Sequence, residues 1–232
     1  MATKIKIGFL LFPDLTQLDL TGPYEVFARF PEAEIFLIWK NREPVPSRGG
    51  IAIVPTTAFA ECPQLDLICI PGGPGTDALL TDEETLAFVR KQAKAARYVT
   101  SVCTGALLLG AAGLLAGKRA ATHWTAMEFL PQFGAIPVDE RVVIDGKLIT
   151  GGGVTAGIDF ALTAVAALAG ERVARGIQLS MEYDPKPPFD SGHPKCAEPK
   201  LVEGFKAWAA KSQAARAEKV RQAAAKLAPD AG

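Results

Sequence analysis

The chain has 232 residues, 49% of them hydrophobic, and its 25 basic residues balance its 25 acidic ones. This length and composition predict one globular domain with a full core. The balanced charge gives no reason to expect a nucleic acid or an anionic membrane as partner, and every apolar stretch is interrupted well before the ~20 residues of a membrane span.

The amino-terminal segment predicts a first strand. Its apolar run, residues 4–12, is short and is followed by Pro13 and Asp14, whereas a signal peptide needs a longer apolar region and a cleavage site. The four cysteines show no CxxC spacing, and the two histidines form no zinc-like pattern with them. We therefore expect a cytoplasmic protein with reduced thiols and no bound metal.

Short apolar runs alternate with longer helical patterns. The runs that predict strands are residues 4–12, 34–40, 65–70, 97–102 and 148–150. The patterns that predict helices are residues 23–30, which begin at Pro23, and residues 82–96, 104–115 and 154–170. Two hairpins are expected at 51–57 and 141–150, the second turning at Asp145 and Gly146. The alternation predicts an α/β fold, a three-layer sandwich with a mostly parallel, flavodoxin-like sheet.

The pattern changes after Gly170. Residues 171–184 predict a last core helix, a proline-rich loop follows, and residues 201–227 predict a charged helix with Phe205 and Trp208 near its start. Two interpretations of this helix stay open: a solvated terminal helix, or a helix whose aromatic pair docks onto the body or onto a second subunit. We expect one α/β domain over 1–196 and a charged helical extension over 197–232.

Cys103 is the candidate nucleophile. It follows a buried strand directly, and in a parallel sheet functional sites form at the carboxyl ends of strands. Ser101 and Gly105 supply the small neighbours that a sharp strand-to-helix elbow needs. The dipole of the following helix predicts a lowered pKa for the thiol. A buried structural cysteine is the alternative, and the position of Cys103 favours the nucleophile.

Two other segments are predicted to lie at the same edge of the sheet. The glycines of residues 71–75 (PGGPG) follow a strand and are typical of a loop whose N–H groups approach a ligand, although ordinary turns use the same residues. Asp19 lies between Leu18 and Leu20 after the first strand. It is either a helix cap or a carboxyl kept partly protonated by desolvation.

These pieces, in this order, resemble the ThiJ/PfpI superfamily, the relatives of class I glutamine amidotransferases, over about residues 4 to 185. A narrower similarity is to the isocyanide hydratase branch of that superfamily. The segments that carry it are residues 8–27, 68–76, 99–124 and 148–162.

The resemblance implies roles for individual residues. Cys103 matches the nucleophile, Asp19 the acid beside it and Thr104 the residue after the elbow. Gly72 and Gly73 match the oxyanion-type loop, and Val154 matches an aliphatic residue of the pocket. The activity implied is hydration of an isocyanide to an N-substituted formamide through a covalent thioimidate, with Asp19 as general acid and base. The resemblance also implies a homodimer. No cofactor is expected, because the glycines at 151–153 lack the Rossmann spacing and a later ribose-binding acid.

The departures from the superfamily pattern exclude some activities. Peptidase-like members place a histidine after the cysteine, where this chain has Thr104. Glutaminase relatives use a His-x-Glu pair, whereas His193 is followed by Pro194 and Lys195. His123 is best explained as a structural residue beside Trp124, so a Cys-His hydrolase is poorly supported. One more charged helix follows the predicted core, so we do not expect a DNA-binding domain of the AraC type. Two rival functions remain: a glyoxalase or deglycase acting on small carbonyls, and a cysteine-based redox sensor or stress protein.

Overall fold

Eleven strands and seven α-helices are present in residues 4–227, the part of the chain that the computed structural model describes. The strands are β1 (Ile5–Leu10), β2 (Ala33–Trp39), β3 (Val45–Pro46), β4 (Ala52–Ile53), β5 (Thr57–Ala58), β6 (Leu67–Ile70), β7 (Tyr98–Val102), β8 (Arg119–Ala120), β9 (Ile136–Pro137), β10 (Val142–Asp145) and β11 (Leu148–Gly151). The helices are α1 (Gln17–Ala28), α2 (Thr76–Leu79), α3 (Glu83–Ala95), α4 (Gly105–Ala111), α5 (Ala156–Ala169), α6 (Glu171–Ser180) and α7 (Pro199–Ala225). Two 3₁₀ helices span Phe59–Glu61 and Trp124–Phe133.

The central sheet has seven strands in the order β10-β11-β7-β6-β1-β2-β5. All neighbours are parallel except β10 and β11. Every residue of β6 is buried, as expected for a strand covered by helices on both faces. The mostly parallel α/β sheet predicted from the alternation of elements is therefore confirmed.

Helices cover both faces of this sheet and make it a three-layer sandwich. On one face α5 packs between α1 and α6, and on the other α4 contacts α2, α3 and α7. Aromatic rings join the sheet to the first of these layers: Phe27 of α1 makes edge contacts with Phe9 of β1 at 6.0 Å and with Phe160 of α5 at 6.3 Å. These contacts fix α1, and with it Asp19, over the ends of the strands.

The prediction that Pro23 begins the first helix is wrong. Helix α1 starts at Gln17, and Pro23 lies inside it, where it cannot donate the usual backbone hydrogen bond. Tertiary packing offsets this loss, because Pro23 is buried against α5 at Gly157, where an added Cβ would lie 3.0 Å from the Pro23 Cδ.

The hairpin over 141–150 is confirmed, with a turn one residue later than predicted. Asp145 pairs with Leu148 across the antiparallel strands, so Gly146 and Lys147 form the two-residue loop, and Gly146 has a positive φ of 61°. Residues 51–57 do not fold back on themselves. Instead β4 pairs with the earlier β3, and β5 joins the edge of the central sheet.

The carboxy-terminal helix docks onto the body of the protein. Helix α7 contacts α2, α4 and the second 3₁₀ helix, and it buries Ala209, Arg216, Val220 and Ala223. The division into a domain over 1–196 and an extension over 197–232 stays a prediction, and residues 1–3 and 228–232 lie outside the described residues. Across residues 4–227, no helix combines the length and apolar character needed to span a membrane.

Candidate active site

Four adjacent segments meet at the carboxyl edge of the sheet. Cys103 follows β7, the glycine loop at 71–75 follows β6, residues 152–154 follow β11, and Asp19 lies in the first turn of α1 after β1. Because β11, β7, β6 and β1 are neighbours in this order, their ends deliver these residues to one place.

Cys103 occupies a strained elbow. Its φ is +55°, which costs a residue with a side chain of the order of 1–3 kcal/mol. The backbone is held there by hydrogen bonds: the Cys103 N–H donates to the Gly152 carbonyl at 2.8 Å, and the Thr122 hydroxyl donates to the Cys103 carbonyl at 2.7 Å. A Cβ at Gly105 would lie 2.2 Å from the Ile70 carbonyl oxygen, so the elbow requires glycine there. The predicted small-residue elbow is confirmed.

Asp19 is a desolvated carboxyl. It is completely buried, and its Oδ2 accepts a 2.9 Å hydrogen bond from the Gly72 N–H. Among residues 4–227 its Oδ1 has no partner of regular hydrogen-bond geometry. Burial raises the pKa of Asp19 to about 7, although the Gly72 N–H and the neighbouring Cys103 thiol oppose this rise. Of the two interpretations left open, the structure therefore supports the partly protonated carboxyl.

The expectation that Cys103 has a lowered pKa is wrong. The side chain is 6% exposed, and burial together with the negative charge of Asp19 raises the pKa of the thiol to about 12. The backbone N–H groups of Thr104 and Val154 and the charge of Arg216 act in the opposite direction. Helix α4 has only seven residues, and its dipole does not outweigh the loss of solvent around the sulfur.

Thr104 is the centre of a buried hydrogen-bond network. Its Oγ1 accepts a 2.9 Å bond from the Gly73 N–H and lies 3.1 Å from the hydroxyl of Thr76. The N–H groups of Gly72 and Gly73, predicted to face a ligand, thus bind the side chains of Asp19 and Thr104. The donors directed at the sulfur are instead the N–H groups of Thr104 and Val154.

The two histidines make other contacts. His123 Nδ1 lies 2.8 Å from the Thr125 hydroxyl, and its ring packs beside Trp124 at 5.8 Å. His193 Nε2 lies 3.1 Å from an Asp139 carboxylate oxygen. His123 lines the cleft near Cys103, but burial and the charge of Arg216 lower its pKa. Within residues 4–227, no group of three or more His, Cys, Asp or Glu side chains is arranged to hold a metal.

A cleft of about 650 Å³ opens above Cys103, Thr104 and Val154. Its opposite wall is formed by α7 residues that no sequence pattern places at the site, including Phe205, Trp208 and Arg216. Of the aromatic pair at the start of α7, Phe205 packs 5.4 Å from the Trp124 ring, whereas Trp208 is 70% exposed. Nothing in the sequence distinguishes Arg216 from the other cations of this helix.

Comparisons with known proteins agree with this geometry. A model of the DJ-1/PfpI family matches residues 5–167. An isonitrile hydratase from Pseudomonas putida is 56% identical over 96% of this chain and 98% of its own length. A glutathione-independent glyoxalase from Caenorhabditis elegans is 30% identical over 71% of this chain and 90% of its own length. The crystal structure of a ThiJ/PfpI family protein from Pseudomonas syringae, 43% identical, superposes with a TM-score of 0.90 over 97% of this chain and 91% of its own. The chain belongs to the DJ-1/PfpI family.

Proposed function

We propose that this protein is an enzyme that hydrates isocyanides, R–N≡C, to N-substituted formamides. The observation that carries the proposal is that the buried Asp19 carboxyl lies beside the Cys103 thiol, and its pKa of about 7 lets it both accept and donate a proton near neutrality. The full-length similarity to the isonitrile hydratase of Pseudomonas putida supports the choice of substrate.

The first step forms a carbon–sulfur bond. In its ionised form Asp19 accepts the thiol proton of Cys103, and the sulfur attacks the terminal carbon of the isocyanide. That carbon accepts a nucleophile and a proton, so Asp19 then delivers the proton to it. The product is a thioimidate, Cys103–S–CH=N–R, and Asp19 is ionised again.

The second step consumes one water. Asp19 accepts a proton from the water as it attacks the thioimidate carbon, and Asp19 then passes this proton to the nitrogen. The carbon–sulfur bond then breaks, the oxygen forms the carbonyl of the formamide, and the sulfur regains its proton. The net reaction is R–N≡C plus H₂O to R–NH–CHO. The Thr104 and Val154 N–H groups stabilise negative charge on the sulfur in both steps.

The proposal is tested by following cyclohexylformamide formation from cyclohexyl isocyanide. We expect turnover by the wild-type protein, none by Cys103→Ala, and a loss of about 10²–10⁴-fold in Asp19→Asn. Cys196→Ala is the matched control, because Cys196 is exposed and outside the cleft. Absence of turnover in the wild type, or undiminished turnover in Cys103→Ala, would refute the proposal.

A glyoxalase activity on small carbonyls is the second candidate, and the 30% identity to the Caenorhabditis elegans glyoxalase favours it over a redox sensor. It would use the same cysteine. Methylglyoxal and cyclohexyl isocyanide, compared at equal enzyme and substrate concentration, separate the two activities. We expect the isocyanide to have the larger kcat/KM.

A redox sensor is less well supported. Peroxide reacts with thiolates, and burial raises the pKa of Cys103 to about 12, which keeps the thiol protonated. Peptide mass spectrometry after mild peroxide treatment is expected to find Cys103 unoxidised.

We also propose that the protein forms a homodimer. Leu179 and Phe189 are large apolar side chains with 82% and 78% of their surface exposed in one chain, and a partner surface would remove them from water. Light scattering is expected to give about twice the 24.5 kDa of one chain. A single-chain mass at micromolar concentration would contradict the dimer.

A further inference from the structure

Helix α7 buries one charged residue along with its apolar ones. Its other buried side chains are Ala209, Val220 and Ala223, yet Arg216 is only 8% exposed. A buried cation costs several kcal/mol unless an anion pairs with it. Replacing a buried ion pair by apolar residues is often neutral or stabilising, so packing alone does not require an arginine at this position.

Asp77 is the partner of Arg216. The Arg216 Nε donates a 2.7 Å hydrogen bond to Asp77 Oδ1 across 139 residues of sequence. Asp77 belongs to α2, which begins directly after the glycine loop that holds Asp19 and Thr104. The ion pair therefore anchors the end of the chain to the segment that positions the catalytic groups.

The Arg216 side chain lines the same cleft as Cys103 and His123. The positive charge of Arg216 acts to lower the pKa of both groups. It opposes the rise that burial causes in the pKa of the Cys103 thiol, and it disfavours a second positive charge on His123. Negative charge on the sulfur is thus the form that Arg216 stabilises. Because the surroundings are poorly solvated, this interaction is screened less than it would be at the surface.

We propose that Arg216, held by Asp77, is a positioning residue for the nucleophile, stabilising negative charge on the Cys103 sulfur when the thiol loses its proton and again when the sulfur leaves. The inference rests on the proposed function only for the identity of the electrophile. It makes α7 a wall of the active site that supplies a cation to the cleft of the nucleophile.

The test uses an electrophile unrelated to isocyanides. Iodoacetamide is neutral and alkylates thiolates, so its rate at Cys103, followed by peptide mass spectrometry at several pH values, measures thiolate formation directly. The titratable and charged groups around Cys103 are Asp19, buried beside it, and five residues of the cleft: Arg48, Asp77, His123, Lys211 and Arg216. All except the substituted residue are the same in each variant, so differences between pH profiles report the substitution.

Substitution of Arg216 and substitution of Asp77 are expected to change the rate of Cys103 alkylation in opposite directions. Arg216→Met should slow Cys103 alkylation at pH 7 by about three- to tenfold and displace the profile to higher pH. Asp77→Asn keeps an oxygen that can accept the Arg216 hydrogen bond but removes the neighbouring negative charge, so it should speed alkylation. Arg216→Lys should recover most of the wild-type rate. Arg221→Met is the matched control, because Arg221 is exposed on the same helix and pairs with Glu218; it should leave the rate unchanged.

A purely structural role for the pair would move the two variants the same way, because both substitutions loosen α7. Alkylation that changes in the same direction in both variants, or a profile in Arg216→Met that matches Arg221→Met, would overturn the inference. If Arg216→Met is recovered unfolded, Asp77→Asn decides, since slower or unchanged alkylation there contradicts the electrostatic role. Failure of isocyanide turnover in the wild type would refute the proposed function and leave this result standing.

Discussion

The backbone N–H of Gly72 donates a 2.9 Å hydrogen bond to the Oδ2 of Asp19. The approach is so close that a Cβ at position 72 would lie 2.9 Å from that oxygen and 2.6 Å from the backbone nitrogen of Thr104. The glycine loop is therefore a support that fixes a carboxyl beside the nucleophile, and its N–H groups are already engaged in doing so.

Gly72→Ala should disturb both neighbours of this loop. The added methyl group must displace the Asp19 carboxyl or the Thr104 backbone, and we expect hydration to fall by about tenfold or more. Formamide formation and the thermal unfolding midpoint measure the effect. Gly176→Ala is the control, because a Cβ there meets open space and the residue lies within α6; it should leave activity intact and raise stability by about 0.5–1 kcal/mol. Wild-type activity in Gly72→Ala would show that the carboxyl does not depend on this contact.

Asp19 should make the stability of the protein fall as pH rises. Its folded-state pKa of about 7 lies above the ordinary value of 3.8, so between these pH values the folded protein retains a proton that the unfolded chain has released. The free energy of unfolding should therefore decrease from about pH 4 to about pH 7, by of the order of 4 kcal/mol in total. In Asp19→Asn this contribution should be absent, and the variant should gain stability relative to the wild type across that range. Denaturant unfolding at pH 5 and pH 8 measures the difference, and equal pH dependence of the two proteins would argue against a desolvated Asp19.

The same carboxyl should control the pH dependence of turnover. Because the ionised form accepts the thiol proton, kcat/KM for cyclohexyl isocyanide should rise with pH and level off above an inflection near 7. A profile that shows no change between pH 5.5 and 8.5 would exclude Asp19 as the base.

The backbone strain at Cys103 should appear as a difference in the free energy of unfolding between two inactive variants. Both Cys103→Ala and Cys103→Gly remove the sulfur, but only glycine adopts the observed φ of +55° without a steric penalty. We expect Cys103→Gly to be more stable than Cys103→Ala by about 1 kcal/mol. Urea unfolding of the two variants, referred to the wild type, measures this difference. A more stable alanine variant would mean that the elbow is not strained.

The hydroxyl group of Thr104 should be required for full stability and activity. In Thr104→Val the Gly73 N–H loses its acceptor inside the protein, and an unsatisfied buried donor costs about 1–3 kcal/mol. We expect lower stability and slower hydration in that variant, whereas Thr104→Ser should stay within about 1 kcal/mol of the wild type. If serine is as damaging as valine, the methyl group of Thr104 is the important part and the network is not.

Site residues could be predicted from the sequence where the local pattern of residues determines the structure. Cys103 was identifiable because a buried strand, small flanking residues and a helix leave few other ways to turn the chain, and Asp19 because an acid between leucines at a strand exit is unusual. The start of α1 was misplaced because Pro23 is tolerated within the helix through packing against Gly157, a contact between residues 134 positions apart that sequence periodicity does not contain.

The pKa values and ion pairs of the site also depend on residues that are distant in the sequence. The helix dipole after Cys103 predicted a lowered pKa, but burial and the charge of Asp19 prevail. Arg216 reaches its partner across 139 residues, and in an Ala-rich helix with many cations it has no distinguishing neighbour. Such properties follow from the three-dimensional arrangement of burial and charge, and local sequence does not determine them.

A single-turnover experiment shows whether the Cys103 sulfur bonds to the substrate carbon. Enzyme in excess is mixed with cyclohexyl isocyanide, quenched in acid at successive times and mapped by peptide mass spectrometry. We predict an adduct of one isocyanide on the peptide containing Cys103 that rises and then decays as cyclohexylformamide appears, with neither adduct nor product in Cys103→Ala. Formamide released by Cys103→Ala at the wild-type rate would contradict the account.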